Sequence, residues 1–225
     1  MIKFALKALI ACVALAAPGL FAQNLLLNGG FQTGNLNYWT LFATPNGNLG
    51  PGLPNVMPFD TAGTGTATDA AQFQVGETEY NQATGHTSQG GGFYQAFNCT
   101  AGQYIISGDV AALCINGLGN ADAGTFSILI DGNSVTGIGL GGIANNQTLR
   151  GTLDTTVSLG GGLHIFQLEI TRPWLNGGSY GGTPLEYVDD LSVIPVPEPR
   201  GLLPLGVAAL LLAGLRRKMG KTSAS

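Results

Sequence analysis

Few residues of this chain have types and spacing that chemistry could use, and Asp189 is the most informative of them. In Tyr187-Val188-Asp189-Asp190-Leu191-Ser192-Val193, strict alternation places it on one face with Tyr187, Leu191 and Val193. A carboxylate among apolar neighbours must be paired, protonated or metal-bound, because an unpaired buried charge is costly. Backbone amides of the opening turn are one way to pair it. Trp174 follows Pro173 and, like Tyr180, belongs to a Gly/Asn-rich loop, where an aromatic face can stack on the C–H face of a pyranose ring. Tyr38 and Trp39 are further aromatic candidates, with Trp39 better placed as a core plug. Glu77 and Glu79 would point the same way on a strand, as a glycosidase pair must, but their polar surroundings read as a solvated face.

Several enzyme-like patterns dissolve on inspection. Gly137 to Gly142 satisfies G-x-G-x-x-G, yet no helix or βαβ unit follows it. Gly177 to Gly181 satisfies G-x-S-x-G, but that elbow needs a His downstream, and His86 and His164 both lie upstream. His164 sits at strand spacing with Phe166, Leu168 and Ile170, as a hydrogen-bonded core imidazole would. No His or Cys pair has metal-ligand spacing.

The elements that must position these residues are strands. The chain has 36 glycines in 225 residues, sparse charge and no long 3.6-residue period between its ends. Strands are expected at 71–75, 92–97, 103–111, 125–130, 152–159, 163–171 and 185–194, with a turn at Asp131-Gly132. Asn24 to Gln32 reads as a short strand entering a turn, and 43–92 as a long loop region. The expected fold is all-β, a two-sheet sandwich of jelly-roll type over residues 23–194.

The two ends differ from this body. Lys3 and Lys7, the apolar run 8–17 and Leu20-Phe21-Ala22 make residues 1–22 a signal peptide. At the other end Val196-Pro197-Glu198-Pro199 precedes an apolar run, 201–215, that is greasy all round, and then Arg216-Arg217-Lys218, placed to hold a cytoplasmic end, with 219–225 as a short tail. Between the ends, Arg150 and Arg172 are the only cations against every Asp and Glu except Glu198. So acidic a body repels phosphate backbones, which disfavours nucleic acid, and suits calcium, neutral glycans or simple solvation. Export would also permit a Cys99–Cys114 disulfide. It would require a sharp fold-back, since a strand over 103–111 carries the chain about 30 Å while bridged Cα atoms lie within about 7 Å.

Motif, helix-length run and basic end, in that order over residues 194–218, resemble the PEP-CTERM sorting tail of exported bacterial proteins. The resemblance implies a transmembrane helix at 201–215, cleavage near the Pro-Glu-Pro by an exosortase-type membrane protease, and an inner-membrane-tethered precursor delivered to the surface or extracellular matrix of a Gram-negative-type bacterium. A second resemblance covers the body. Asn24–Trp39, Gly92–Val110, Phe126–Gly132 and Tyr187–Val193 look in turn like the opening motif, hairpin, F-x-hydrophobic-x-hydrophobic-D-G strand and closing strand of galactose-binding-like, carbohydrate-binding jelly rolls. It implies a structural calcium held by Asp189 with Gln32, which stands where the family has an acidic residue, and Asn28. The resulting expectation is an exported, non-catalytic β-sandwich in contact with extracellular polysaccharide through Trp174 and Tyr180. The alternatives are a purely structural matrix protein or a secreted glycan hydrolase.

Overall fold

A computed structural model describes residues 23–115, 117–175 and 182–197. The twelve strands found there are β1 (Thr40–Ala43), β2 (Gly47–Asn48), β3 (Asn55–Phe59), β4 (Thr68–Phe73), β5 (Gly76–Glu77), β6 (Gln89–Cys99), β7 (Gly102–Cys114), β8 (Thr125–Ile130), β9 (Asn133–Gly139), β10 (Gln147–Leu159), β11 (Gly162–Arg172) and β12 (Leu185–Pro195). Two five-stranded antiparallel sheets, ordered β1-β6-β11-β8-β9 and β10-β7-β12-β4-β3, make the expected all-β sandwich, and β2 and β5 form a separate small ribbon. Gln23–Pro195 is one compact unit. Among the described residues no helix is long and apolar enough to cross a membrane; the run 201–215 lies outside them.

Alternation makes the core. Phe93, Phe126, Ile128, Phe166, Leu168 and Ile170 on one sheet meet Phe73, Ile106, Val110, Val188, Leu191 and Val193 on the other, all fully buried. Trp39 plugs the end of this core as expected, its ring centroid 4.6 Å from that of Phe93. The Asp131-Gly132 turn closes β8 onto β9 with both residues at positive φ (53° and 79°), the geometry a two-residue hairpin turn requires.

The opening segment is not a strand. Asn24 spends its side chain on the Leu26 and Val193 amides and the Leu191 carbonyl, satisfying groups that a ladder would otherwise pair. The chain then turns through Asn28 and Phe31, both in the left-handed region. Of the short strands, β2, β3 and β5 lie in the segment read as loop, while β1 and most of β9 lie where no strand was expected. The Cys99–Cys114 disulfide that export would permit is not formed: the two thiols are not bridged to each other, and the thirteen residues of β7 separate them as the strand reading anticipates.

The face assigned to Asp189 also needs correction. Asp189 pairs with Asp109 but Ser192 with Ser107, so one extra residue bulges out, and Asp190 takes φ 51° to absorb it. Beyond the bulge Leu191 and Val193 enter the core between the sheets. Before it Tyr187 lies in a separate cluster with Ala70 and Ala111, its ring stacked on Phe59 at 3.7 Å and 5°. The Asp189 carboxylate, buried on that side, accepts from Thr68 Oγ1 (2.5 Å) and from the Asp190 amide (2.7 Å), not from the opening turn.

Two carboxyl groups on β12 are held above their ordinary range. Burial pushes Asp189 to about 6, against the hydrogen bond from Thr68, and pushes Glu186 to about 8, against the attraction of Arg172. A folded state that retains protons the unfolded chain releases is most stable at acidic pH and loses that advantage as pH rises. The melting temperature is therefore expected to fall from pH 5 to pH 8, and Glu186→Gln to flatten the upper part of that slope. Calorimetry across this range checks it, and a melting temperature that rises with pH would contradict it.

Candidate functional site

The site grows from a buried clamp. Arg172, the last residue of β11, is fully buried; it donates from Nε to the Asp122 carbonyl (2.8 Å), from one terminal nitrogen to the Val75 carbonyl (3.1 Å) and from the other to Asn120 Oδ1 (2.8 Å). Glu186 accepts the Val75 amide at 2.9 Å, and its other oxygen lies 3.9 Å from Arg172 Nε. The Val75 peptide is thus gripped at both its N–H and its C=O. It leads directly into β5, and Arg172 leads directly to Trp174.

These two segments meet. The Glu77 amide donates to the Trp174 carbonyl at 2.9 Å, and Glu77 bridges Leu175 in parallel. The Glu77 carboxylate is buried: Oε2 lies 2.5 Å from His86 Nδ1, and Oε1 accepts the Thr87 amide at 2.5 Å. His86 is thereby fixed between two aromatic rings, its centroid 4.7 Å from Tyr80 and 4.8 Å from Trp174. Tyr80 is 49% exposed and Trp174 40%. The result is an aromatic row open to solvent, standing on a carboxylate that charge-assisted hydrogen bonds hold still.

Of the residues the sequence singled out, Trp174 is in this row. Tyr180 lies outside the described residues, as do Glu198, Pro199, Arg216, Arg217 and Lys218, whereas Val196 and Pro197 are described just beyond β12. Glu77 is not half of an exposed acidic pair. It is buried in β5, while Glu79 is exposed and uses its backbone, which accepts from Asn46 Nδ2 (2.7 Å) and donates to Asn46 Oδ1 (3.2 Å). His164 is hydrogen-bonded as expected but sits at the rim of the core, 5.8 Å from the Phe97 ring, where its Nδ1 lies 2.7 Å from Asp131 Oδ2 and ties the β8–β9 turn to β11. Tyr80 and His86 were missed because their role depends on the long-range bridge from Glu77 to Leu175.

The residues expected to hold calcium do not make a cage for it. Asp189 is engaged by Thr68 and Asp190; Asn28 donates to the Asn35 and Asn37 carbonyls and accepts the Thr33 amide; Gln32 is exposed. Calcium takes six to eight oxygens, and among the described residues no group of three or more His, Cys, Asp or Glu could hold a metal ion.

No protein-family model matches the chain, and no curated protein does. Solved structures similar to it include TmCBM61 in complex with β-1,4-galactotriose, at 12% identity and TM-score 0.48, covering 78% of this chain and 100% of that one. A xylan-binding domain from CBM 22 matches at 14% identity and TM-score 0.37, covering 76% and 95%. A structure of carbohydrate-binding modules from the β-sandwich superfamily matches at 12% identity and TM-score 0.39, covering 79% and 63%. At these identities and TM-scores the likenesses say nothing of the site.

Removing the carboxylate tests whether it organises the row. Glu77→Ala leaves the half-buried Thr87 amide and the His86 imidazole without their acceptor, at a cost of about 1 kcal/mol. Thermal denaturation is expected to show that loss, and the amide of Thr87 to lose its protection from hydrogen exchange. Unchanged stability and protection would show that His86 and Thr87 do not depend on Glu77.

Proposed function

We propose that the body is a non-catalytic module that binds a neutral extracellular glycan through the row Tyr80–His86–Trp174. The observation that carries this reading is the pair of half-exposed rings flanking a histidine whose orientation is set by a buried carboxylate. Aromatic faces supply apolar stacking area for a pyranose, at little entropic cost because they are already fixed. Charge selects neutral sugars. The body is strongly acidic, Arg172 is buried and Arg150 is held by Asp60, with Nε donating to its carbonyl at 2.9 Å.

The reading extends to the ends of the chain. The signal-peptide pattern of 1–22 and the Pro-Glu-Pro, apolar and basic order of 197–218 support export, cleavage by an exosortase-type membrane protease, and residence at the cell surface or in the matrix.

Two measurements test these halves separately. Trp174→Ala is expected to abolish retardation in affinity gels containing a xylan, a β-galactan or a β-glucan, with melting unchanged. Equal retardation of wild type and variant in every gel would refute the site. Mass spectrometry of protein recovered from cells and medium should find mature ends near Gln23 and near the Pro-Glu-Pro. Recovery of the full 225-residue chain alone would refute the processing.

A further inference from the structure

Tyr38 is the most exposed aromatic residue among those described, at 63%, and its backbone sits at φ 74°. A bulky residue in the left-handed region is a true outlier that the surrounding structure must impose. The turn closed by the Trp39 amide on the Leu36 carbonyl (3.1 Å) imposes it, and that turn is anchored by Gln95. Its Nε2 donates to the carbonyls of both Tyr38 (3.1 Å) and Leu27 (3.0 Å), and its Oε1 accepts the Leu27 amide at 2.6 Å. The buried Gln95 thus holds two segments with exposed apolar side chains together, Leu27 being 56% exposed, beside the exposed amides and hydroxyl of Asn35, Asn37 and Thr33. An exposed aromatic residue in a segment of exposed neutral hydrogen-bonding side chains is chemistry that suits a sugar. Asparagine or glycine would fill position 38 without the strain, so the core gains nothing from a tyrosine there.

Register fixes where this lies relative to Trp174. Thr40, two residues after Tyr38, pairs with Tyr94 on β6, while Gln89 at the start of β6 pairs with Arg172, two residues before Trp174. The strand rise puts Tyr38 and Trp174 roughly 20–30 Å apart along that direction. Edge strand β1 runs between them, with Leu41 exposed on it. Its continuation at Asn46 is hydrogen-bonded to the Glu79 backbone, one residue from Tyr80.

We propose that Tyr38 is a second stacking platform of the same glycan site, so that the module lays an extended stretch of one neutral polysaccharide along β1 from Trp174 to Tyr38. The proposal rests on the glycan-binding reading of Trp174. Two platforms joined by one ligand make affinity depend on its length.

The test compares a soluble neutral polysaccharide (xylan, β-galactan or β-glucan, whichever the wild type binds) with its own short oligosaccharides, by titration calorimetry on the full chain. Tyr38→Asn is expected to weaken polymer binding roughly five- to tenfold, the worth of one aromatic contact. It should leave short-oligosaccharide binding unchanged and not lower the melting temperature. Tyr38→Phe and Tyr38→Leu keep the same backbone demand, and only the phenylalanine should retain full polymer affinity, which separates lost stacking from lost folding. Polymer affinity that survives Tyr38→Asn and Tyr38→Leu while Trp174→Ala loses it would overturn the extended site and leave the Trp174 site standing. Binding unaffected by Trp174→Ala, or no binding to any of the three polymers, would overturn both.

Discussion

The Val75 peptide, held by Arg172 through its carbonyl and by Glu186 through its amide, is the constraint on which the candidate site depends. It locks the end of β4 to the ends of β11 and β12 in a fully buried region. A buried Arg–Glu pair at this depth is poor evidence of stability, since desolvation opposes ionisation of the carboxyl group. What it supplies is position. The segment after Val75 carries Glu77, the segment after Arg172 carries Trp174, and these two join by a backbone hydrogen bond. The two elements come from opposite sheets, so their meeting point is fixed by the buried couple as well as by sheet pairing.

From that point the site is built outward by successively more exposed groups. The Glu77 carboxylate is satisfied by His86 and Thr87, His86 fills the space between Tyr80 and Trp174, and the rings reach solvent. Each layer is held by the one beneath it. The same economy appears at the other end of β1, where one buried side chain, Gln95, holds two exposed residues through their backbones and leaves their side chains free. In both places a buried polar group orients exposed surface.

The long strands were legible because their alternation is strong. Thr125–Ile130 appears with the bounds its pattern suggests, and β6, β7, β10, β11 and β12 extend theirs by only a few residues. The short strands β1, β2, β3 and β5 were not, since two to five residues among Gly, Pro and Asn carry no period and form only because longer neighbours recruit them. Asp189 shows a different limit. Alternation was the right rule, but the Asp190 bulge shifts its phase by one residue, and no local signal marks a bulge at a non-glycine position. Trp174 was visible as an aromatic residue in a Gly/Asn-rich stretch. Its partners Tyr80 and His86 were hidden because the contacts joining 77–86 to 174–175 bridge residues far apart in the sequence.

The central claim is that Trp174 is the surface a glycan covers, and the two tryptophans of the chain make it directly measurable. Trp39 is buried in the core and Trp174 stands half-open, so acrylamide should quench one emission and spare the other. Saturation with a neutral polysaccharide is expected to protect the accessible emission and bring quenching down to the level of the buried residue. Quenching that stays the same in the presence of every neutral polysaccharide tried would contradict the account.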